Sequence, residues 1–224
     1  MRNPWIDLPA FAPYVLKEDL EAIDRFNTSA KSEHYIHTSV MPEPHLGDPN
    51  APVVLLNLNP GYSEQDEETH SNAEFADACR KCALHDAQDY PFYLLNPAFP
   101  GGGFDWWSKK LKPLIAEFGR ESVARKVFCV EFFPYHSIKF AHDKLAVSSQ
   151  QYSSWLVEQA IARDAVIVAM RGMRFWEKLV PDLHAYGNLF KLNSAQNVTI
   201  SQRNCPEGFP KILEAFSKSL DLGH

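Results

Sequence analysis

The sequence lacks the features of membrane and secreted proteins. It contains no run of about 18 or more apolar residues, and its first residues show no basic segment followed by an apolar one and a small-residue cleavage site. Four cysteines in 224 residues are too few for a disulfide scaffold. We therefore expect a soluble protein of the reducing cytoplasm, with no membrane partner.

Positive charge is also scarce, since 22 lysines and arginines stand against 28 aspartates and glutamates, for a net charge of −6. This balance argues against a protein that coats nucleic acid through a general positive field. An enzyme that extrudes a single base needs only a few phosphate contacts near its pocket, so DNA stays a possible partner. With 45% hydrophobic residues and no internal repeat, residues 1–224 are expected to form one domain and a monomer.

Short apolar runs alternate with segments of helical periodicity along the chain. After a helical and irregular extension (residues 1–50) and apart from an acidic loop (64–70), the predicted strands are 53–56, 127–133, 165–170 and 197–201, with 92–95 as a further candidate. The predicted helices are 17–26, 72–84, 106–118 capped by Asp105, 150–163, 172–180 and 206–220. This order predicts a three-layer α/β/α sandwich around a central, mainly parallel four-stranded sheet.

In sheets of this kind ligands bind beyond the carboxyl ends of the strands, so the loops after Leu58, Val130, Met170 and Ser201 should share one rim. Asn59-Pro60-Gly61 leaves the first predicted strand. Proline fixes one backbone dihedral and glycine permits close approach, so together they can hold Asn59 over a pocket mouth. An ordinary Asn-Pro-Gly turn is the alternative interpretation.

Four ordered segments between residues 53 and 216 carry motifs of a known family. They are Asn57-Leu58-Asn59-Pro60-Gly61, Phe104-Asp105-Trp106-Trp107, Phe128-Cys129-Val130-Glu131-Phe132-Phe133-Pro134, and Thr199-Ile200-Ser201-Gln202-Arg203-Asn204 followed by Gly208-Phe209. Together they resemble the uracil-DNA glycosylase superfamily, closest to its single-strand-selective monofunctional and mismatch-specific branches. The resemblance implies the same fold and the hydrolysis of an N-glycosidic bond in DNA.

The resemblance implies that Asn59 would hold the water that attacks the anomeric carbon of the sugar. A neutral amide orients water and tolerates developing positive charge, although it is a poor general base. Glycine at the position of Gly61, where uracil enzymes carry a tyrosine, would leave room for bulkier bases. The candidate base-contacting residues are Gly61, Tyr62, Phe92, Tyr93 and Phe133.

Two positions depart from the family. Thr199 stands in place of the histidine that stabilises the leaving base, and a hydroxyl donates one hydrogen bond but cannot become cationic. Glu131 stands in place of the asparagine that reads the base. An ionised Glu131 would favour bases that present donors, such as guanine-like edges, whereas a buried, protonated Glu131 could give a proton to the leaving base. A strand-end carboxylate paired with a nearby lysine or arginine is the alternative.

The second motif implies DNA contacts. Arg203 would enter the duplex or meet phosphate, and the candidate DNA-binding residues are Ser201, Gln202, Arg203 and Asn204. A surface arginine paired with a carboxylate is equally compatible with Arg203.

Cys79-x-x-Cys82-x-x-His85, with His70 upstream, has the residue types of a zinc site. The two cysteines fall within a predicted helix, however, and no second Cys-x-x-Cys completes the set. We therefore expect no metal and no cofactor. His136, which follows the strand of Glu131, is a candidate second donor or a solvated loop histidine.

The leading hypothesis is a DNA glycosylase-like hydrolase that acts on a damaged or deaminated base, with Asn59, Glu131 and Thr199 as candidate catalytic residues. Two alternatives stay open. Because Thr199 replaces a histidine and the chain is acidic, it could be a nucleic-acid or nucleotide-binding module without hydrolysis. It could also be a hydrolase of free nucleosides.

Overall fold

The computed structural model describes residues 1–194 and 196–218, which form helices around one five-stranded sheet. The strands are β1 (His45–Leu46), β2 (Val53–Asn57), β3 (Val127–Glu131), β4 (Val166–Ala169) and β5 (Leu189–Lys191). Their order across the sheet is β1-β3-β2-β4-β5, with β1 antiparallel to β3 and all other neighbours parallel. The predicted α/β sandwich with a mainly parallel sheet is confirmed, but the sheet has five strands rather than four.

Nine α-helices are described, and most of them pack on the two faces of this sheet. They are α1 (Lys17–Asn27), α2 (Gln65–Ser71), α3 (Ala73–Leu84), α4 (Gly102–Lys110), α5 (Lys112–Phe118), α6 (Arg120–Lys126), α7 (Gln150–Ala162), α8 (Met173–Leu179) and α9 (Gly208–Lys218). Short 3-10 helices occupy Pro4–Asp7, Ser32–His34, Tyr93–Leu95 and Pro181–Ala185.

Alternate residues of the central strands face the two helical layers. Val53 and Leu55 of β2 pack with α3 to α6 and α9, whereas Val54 and Leu56 pack with the N-terminal segment, α1, α7 and α8. All five residues of β2 are buried. A strand buried on both faces is apolar throughout rather than alternating, and this is why the sequence pattern identified β2, β3 and β4.

Two segments predicted as strands have other structures. Residues 92–95 contain the 3-10 helix Tyr93–Leu95, because the N–H of Leu95 bonds back to the carbonyl of Phe92 instead of to a neighbouring strand. Residues 197–201 are irregular. The side chain of Asn204 donates to the carbonyls of Asn197 and Thr199, at 2.6 and 2.9 Å, and so occupies acceptors that a β-ladder would use.

The sheet's outer strands were missed. β1 has only two residues, between Pro44 and Gly47, and a two-residue strand has no readable periodicity. β5 is partly exposed and three residues long, so it lacks the apolar signal of a buried strand. Both edges are therefore set by tertiary pairing, with β3 and β4 respectively.

Helix boundaries also differ from the prediction. The acidic segment 64–70 is not a loop but contains α2, and α6 was not predicted. The predicted helix 106–118 is two helices divided at Leu111, since Pro113 has no N–H to continue the ladder of α4. Because α4 begins at Gly102, Asp105 lies in its first turn and is not its cap. The last helix begins at Gly208 rather than at 206, and residues 219–220 lie outside the described residues.

The four cysteines are free and buried. Burial raises the pKa of each thiol, to about 12 for Cys82. Cys79 and Cys82 lie in α3, as predicted. Within the described residues, no helix combines the length and the apolar character that crossing a membrane would require.

Candidate active site

The carboxyl ends of the central strands open onto one cavity. Asn57 and Glu131 are the last residues of β2 and β3 and are paired across the two strands, and Arg171 follows β4 on the other side of β2. The cavity has a volume of about 530 Å³ and is lined by all three, together with Asn59. This volume is in the range of small-molecule sites, and the position is the one that open α/β sheets use for ligands.

Aromatic rings form much of the cavity wall. Gly101, Gly102 and Gly103 bring the start of α4 to the cavity, and this helix contributes Trp106 and Trp107. The other aromatic residues of the wall are Tyr62, Phe75, Phe99, Phe104 and Phe140. Such a wall suits a flat aromatic ligand because aromatic rings stack favourably on one another and exclude water.

The side chain of Asn59 is fixed by two hydrogen bonds. Its Nδ2 donates to the carbonyl of Pro60 at 2.8 Å and to Oγ of Ser137 at 2.9 Å. The Pro60 carbonyl can only accept. The Ser137 hydroxyl also accepts from Asn59, because its own proton is donated to the carbonyl of Lys139. The orientation of the amide is thereby determined. Oδ1 has no protein partner in the described part of the chain and is available to accept a hydrogen bond from water.

The whole Asn-Pro-Gly turn is held by the segment that follows β3. The N–H of Ser137 donates to the carbonyl of Pro60 at 3.3 Å, and Nδ1 of His136 lies 2.6 Å from the carbonyl oxygen of Gly61. An added Cβ at Gly61 would meet no atom within 4 Å, so the turn leaves this part of the cavity open. The arrangement is preorganised, since each of the three turn residues is bound before any ligand enters.

Glu131 is almost fully enclosed in the cavity wall, at 2% exposure. Nδ2 of Asn57 donates to its Oε1 at 3.0 Å, while Oε2 is buried without a partner among the described residues. Burial, with a smaller contribution from Glu43, raises the pKa of Glu131 to about 8 against the opposing effects of the Asn57 hydrogen bond and Arg171. The group is therefore mostly protonated at neutral pH. No lysine or arginine of the described residues forms an ion pair with it.

A second polar cluster in the cavity contains Glu43, His70 and His136, whose potential ligand atoms lie within 4.8 Å of one another. Burial and the neighbouring His136 lower the pKa of His70 to about 3, so its ring is neutral. Nδ1 of His70 accepts from the N–H of Met41 at 3.3 Å, which places the ring proton on Nε2.

Both ring nitrogens of His136 face carbonyl oxygens, those of Gly61 and of Met41, the latter at 3.0 Å. A carbonyl oxygen is an acceptor, so a lone pair on either ring nitrogen would point at a carbonyl oxygen and be repelled by it. Neither histidine therefore directs a lone pair at a common point, as metal coordination requires. The hydrogen bonding of the cluster suits donation to a ligand better than the binding of a metal.

The predicted base-contacting residues lie in different places. Gly61 and Tyr62 line the cavity, and the Tyr62 ring stacks on His37 with centroids 3.4 Å apart. Phe92 is fully buried against Trp107, and Tyr93 lies behind the wall, where its hydroxyl donates to Glu43. Phe133 is fully buried in the core on the α7 face of the sheet. Of the five, the structure brings two to the cavity.

The segment of the second predicted motif is folded on itself. Thr199 donates to Oδ1 of Asn197 at 2.8 Å, Gln202 donates to the carbonyl of Pro206, and Asn204 is buried. The segment is anchored to the end of α4 through the N–H of Ile200 and the carbonyl of Lys110. Thr199, Ser201, Gln202, Arg203 and Asn204 are all described, and none of them lines the cavity.

Arg203 is exposed, and no ion pair is present at its side chain in the described residues. The carboxylate-paired surface arginine considered above is therefore not what the structure shows.

The sequence analysis did not predict Arg171 or Glu43 as cavity residues, and it considered His70 only as part of a zinc pattern. Arg171 could have been found, because it is the first charged residue after a predicted strand and therefore lies on the predicted rim. Glu43 and His70 gave no such signal. They lie in the proline-rich N-terminal segment and in the acidic stretch that was predicted to be a solvated loop.

No family model, curated protein or solved structure matches this chain. The resemblance to the uracil-DNA glycosylase superfamily rests on the four motifs alone, and the geometry of the cavity is the independent ground for a function.

Proposed function

We propose that the protein hydrolyses an N-glycosidic bond and that its substrate is a damaged or deaminated base in DNA. The observation that carries the proposal is the fixed amide of Asn59, which lines an aromatic cavity of base-accepting size and keeps Oδ1 unpartnered. An acceptor held in this way orients a water molecule for attack on a carbon at the cavity mouth.

The chemistry needs little else from the turn. As the bond between sugar and base breaks, the anomeric carbon becomes electron-poor and the water adds to it. A neutral amide tolerates that developing positive charge, and its rigid position removes the entropic cost of ordering the water. The aromatic wall holds the base in a dry environment where each hydrogen bond to it is stronger than in water.

The enclosed, neutral Glu131 also supports a nucleobase as ligand rather than an anion or a metal ion. A protonated carboxyl group brings no charge into the cavity. Arg171 lies in the wall beside it, over the ring of Trp106, and forms no ion pair in the described residues, whereas Lys139, the other lysine or arginine of the lining, pairs with Glu33. Arg171 is therefore the cation available to phosphate or to a base carbonyl.

A free nucleoside is the second candidate substrate. Asp66 is part of the cavity wall, and an acidic group there disfavours a phosphate backbone at that side. Arg203, which was predicted to contact DNA, does not line the cavity, and this also favours a free nucleoside.

The test is cleavage of oligonucleotides that carry uracil, hypoxanthine, xanthine or an alkylated base, followed by alkaline treatment, alongside the matching free nucleosides. Asn59→Ala should lower kcat/KM for cleavage by about 10²- to 10³-fold, and Asn50→Ala is the matched control because this exposed asparagine precedes the opposite end of β2. Activity on nucleosides without any on DNA would select the second candidate. An unchanged rate of cleavage in Asn59→Ala would contradict both.

A further inference from the structure

The cavity contains two carboxyl groups that differ in access. Within the wall, Oε1 of Glu131 accepts a hydrogen bond from Asn57, and Oε2 is completely buried. A ligand atom at hydrogen-bond distance needs about the space of a water molecule, and Oε2 offers none. Glu131 is therefore poorly placed to touch a base in this arrangement.

Glu43 is held but stays open to the cavity. The hydroxyl of Tyr93 donates to its Oε1, and the backbone N–H of Glu43 donates to the carbonyl of Pro134 at 3.0 Å. Glu43 is 8% exposed, compared with 2% for Glu131. Its Oε2 has no hydrogen-bond partner in the described residues but, unlike Oε2 of Glu131, is not completely buried. Fixed at one oxygen and accessible at the other, this carboxyl group can meet a ligand.

The neighbours of Glu43 also favour contact with a base. The Nε2–H of His70 has no protein partner in the described residues, and it belongs to the same cluster within 4.8 Å. The open carboxyl oxygen of Glu43 and the open N–H of His70 therefore lie together in the cavity wall, where each can form a hydrogen bond with a base. The Phe75 ring packs edge-on against His70, with centroids 5.0 Å apart, and completes a partly apolar surround.

We propose that Glu43, and not Glu131, is the general acid that protonates the departing base. This inference rests on the proposed function. Burial raises the pKa of the Glu43 carboxyl, which favours the protonated form that an acid needs, while His136 and the Tyr93 hydrogen bond oppose the shift.

The reaction balances without a co-reactant. The bond between the anomeric carbon and the base nitrogen breaks, and its electron pair goes to the base, which takes the proton from Oε2 of Glu43. The water held by Asn59 forms the new carbon–oxygen bond and releases a proton, and the Glu43 carboxylate regains one from solvent. The products are the neutral base and the hydroxylated sugar.

Glu131 then has a positioning role, in which it fixes Asn57 at the end of β2. Its pKa near 8 keeps it neutral, so that it adds no negative charge beside Glu43. We therefore expect Glu43→Gln and Glu131→Gln to have different effects on activity.

Leaving-group dependence separates the two roles. A hypoxanthine or uracil leaving group needs protonation, whereas 7-methylguanine is cationic in the substrate and departs neutral without a proton. In Glu43→Gln, kcat/KM should fall about 10²- to 10⁴-fold for the neutral bases and less than about tenfold for 7-methylguanine. Asn59→Ala should impair both, and Glu68→Gln, on the exposed side of α2, should change neither. Glu43→Asp, which keeps the acid, should recover part of the activity on neutral bases.

A uniform loss on both leaving groups, or a leaving-group-dependent loss in Glu131→Gln instead, would overturn the proposal.

A second measurement does not depend on turnover. Carbodiimide coupling of a small amine to the wild-type protein, read by peptide mass spectrometry, should modify Glu43 faster than Glu131, and free hypoxanthine should protect Glu43. Modification of Glu131 with Glu43 untouched contradicts the inference. Wild-type protein that cleaves no substrate contradicts the proposed function instead, and the labelling then decides whether Glu43 is the accessible carboxyl.

Discussion

The turn at residues 59–61 and the loop at residues 201–204 were predicted from the same resemblance, yet they have different surroundings. The turn is bound at all three residues by His136 and Ser137 and lines the cavity. The loop is held by hydrogen bonds of the Arg203 carbonyl and the Asn204 side chain to residues 193–199, its Arg203 side chain is exposed, and it does not line the cavity. The same resemblance therefore selected one segment that lines the cavity and one that does not, and only the fold distinguishes them.

The largest difference between the two regions should appear in activity. Asn59→Ala removes the oriented acceptor, and we expect kcat/KM for a cleavable substrate to fall about 10²- to 10³-fold. Arg203→Ala should change it less than about threefold, because the guanidinium lies outside the cavity. Steady-state kinetics on the same oligonucleotide measure both. A larger loss in Arg203→Ala would mean that the loop contacts the substrate after all.

Glu131 makes the stability of the cavity wall depend on pH. Its folded pKa of about 8 lies above the ordinary value of 4.5 for a glutamate, so the unfolded chain releases the proton first as pH rises. The stabilisation is present below about pH 4.5 and is lost between there and about pH 8, with a slope of up to about 1.4 kcal/mol per pH unit. Glu131→Gln should remove this decline relative to wild type in urea melts from pH 5 to 9. Equal slopes in both proteins would show that Glu131 is ionised in the fold.

Substitution in the loop should affect stability rather than turnover. The side chain of Asn204 is buried, donates to two carbonyls and accepts from the N–H of Ser194 at 2.9 Å. Asn204→Ala leaves these backbone groups without partners, and we expect a loss of about 2–3 kcal/mol in the free energy of unfolding. Asn193→Ala, which loses one exposed hydrogen bond, is the control. An unchanged urea midpoint in Asn204→Ala would show that the loop is not held by this residue.

The smallest effect should come from loosening the turn without removing its functional group. Ser137→Ala deletes one acceptor of Asn59 and leaves the other, the carbonyl of Pro60. We expect about a tenfold fall in kcat/KM, equivalent to about 1.4 kcal/mol, with the melting temperature nearly unchanged. A full loss of activity would make Ser137 itself a participant in the reaction, and an unchanged rate would show that Pro60 alone fixes the amide.

The buried centre of the fold could be predicted from the sequence, and the edges could not. β2, β3 and β4 are continuous apolar runs bounded by turn residues, so their strand character is local information. The run at residues 92–95 is equally apolar but is buried among helices as a 3-10 turn, and only tertiary contacts distinguish the two cases.

The same limit applies to the site. Asn59 was predicted from its place after a strand and from the resemblance, and Glu131 from the resemblance; the parallel register of β2 and β3 brings the ends of the two strands together. Glu43 and His70 reach the cavity from segments without a periodic pattern, through contacts between residues far apart in the chain, such as that of Tyr93 with Glu43. No local signal encodes such contacts.

The four buried thiols make the protein convenient to label. Because each sulfur is shielded and holds its proton, none should react readily with maleimides or atmospheric oxygen. Ile138, at 53% exposure on the cavity lining, is an exposed position for a reporter dye after an Ile138→Cys substitution. Fluorescence from that single attachment point would follow ligand entry in real time without any prior deletion of native cysteines.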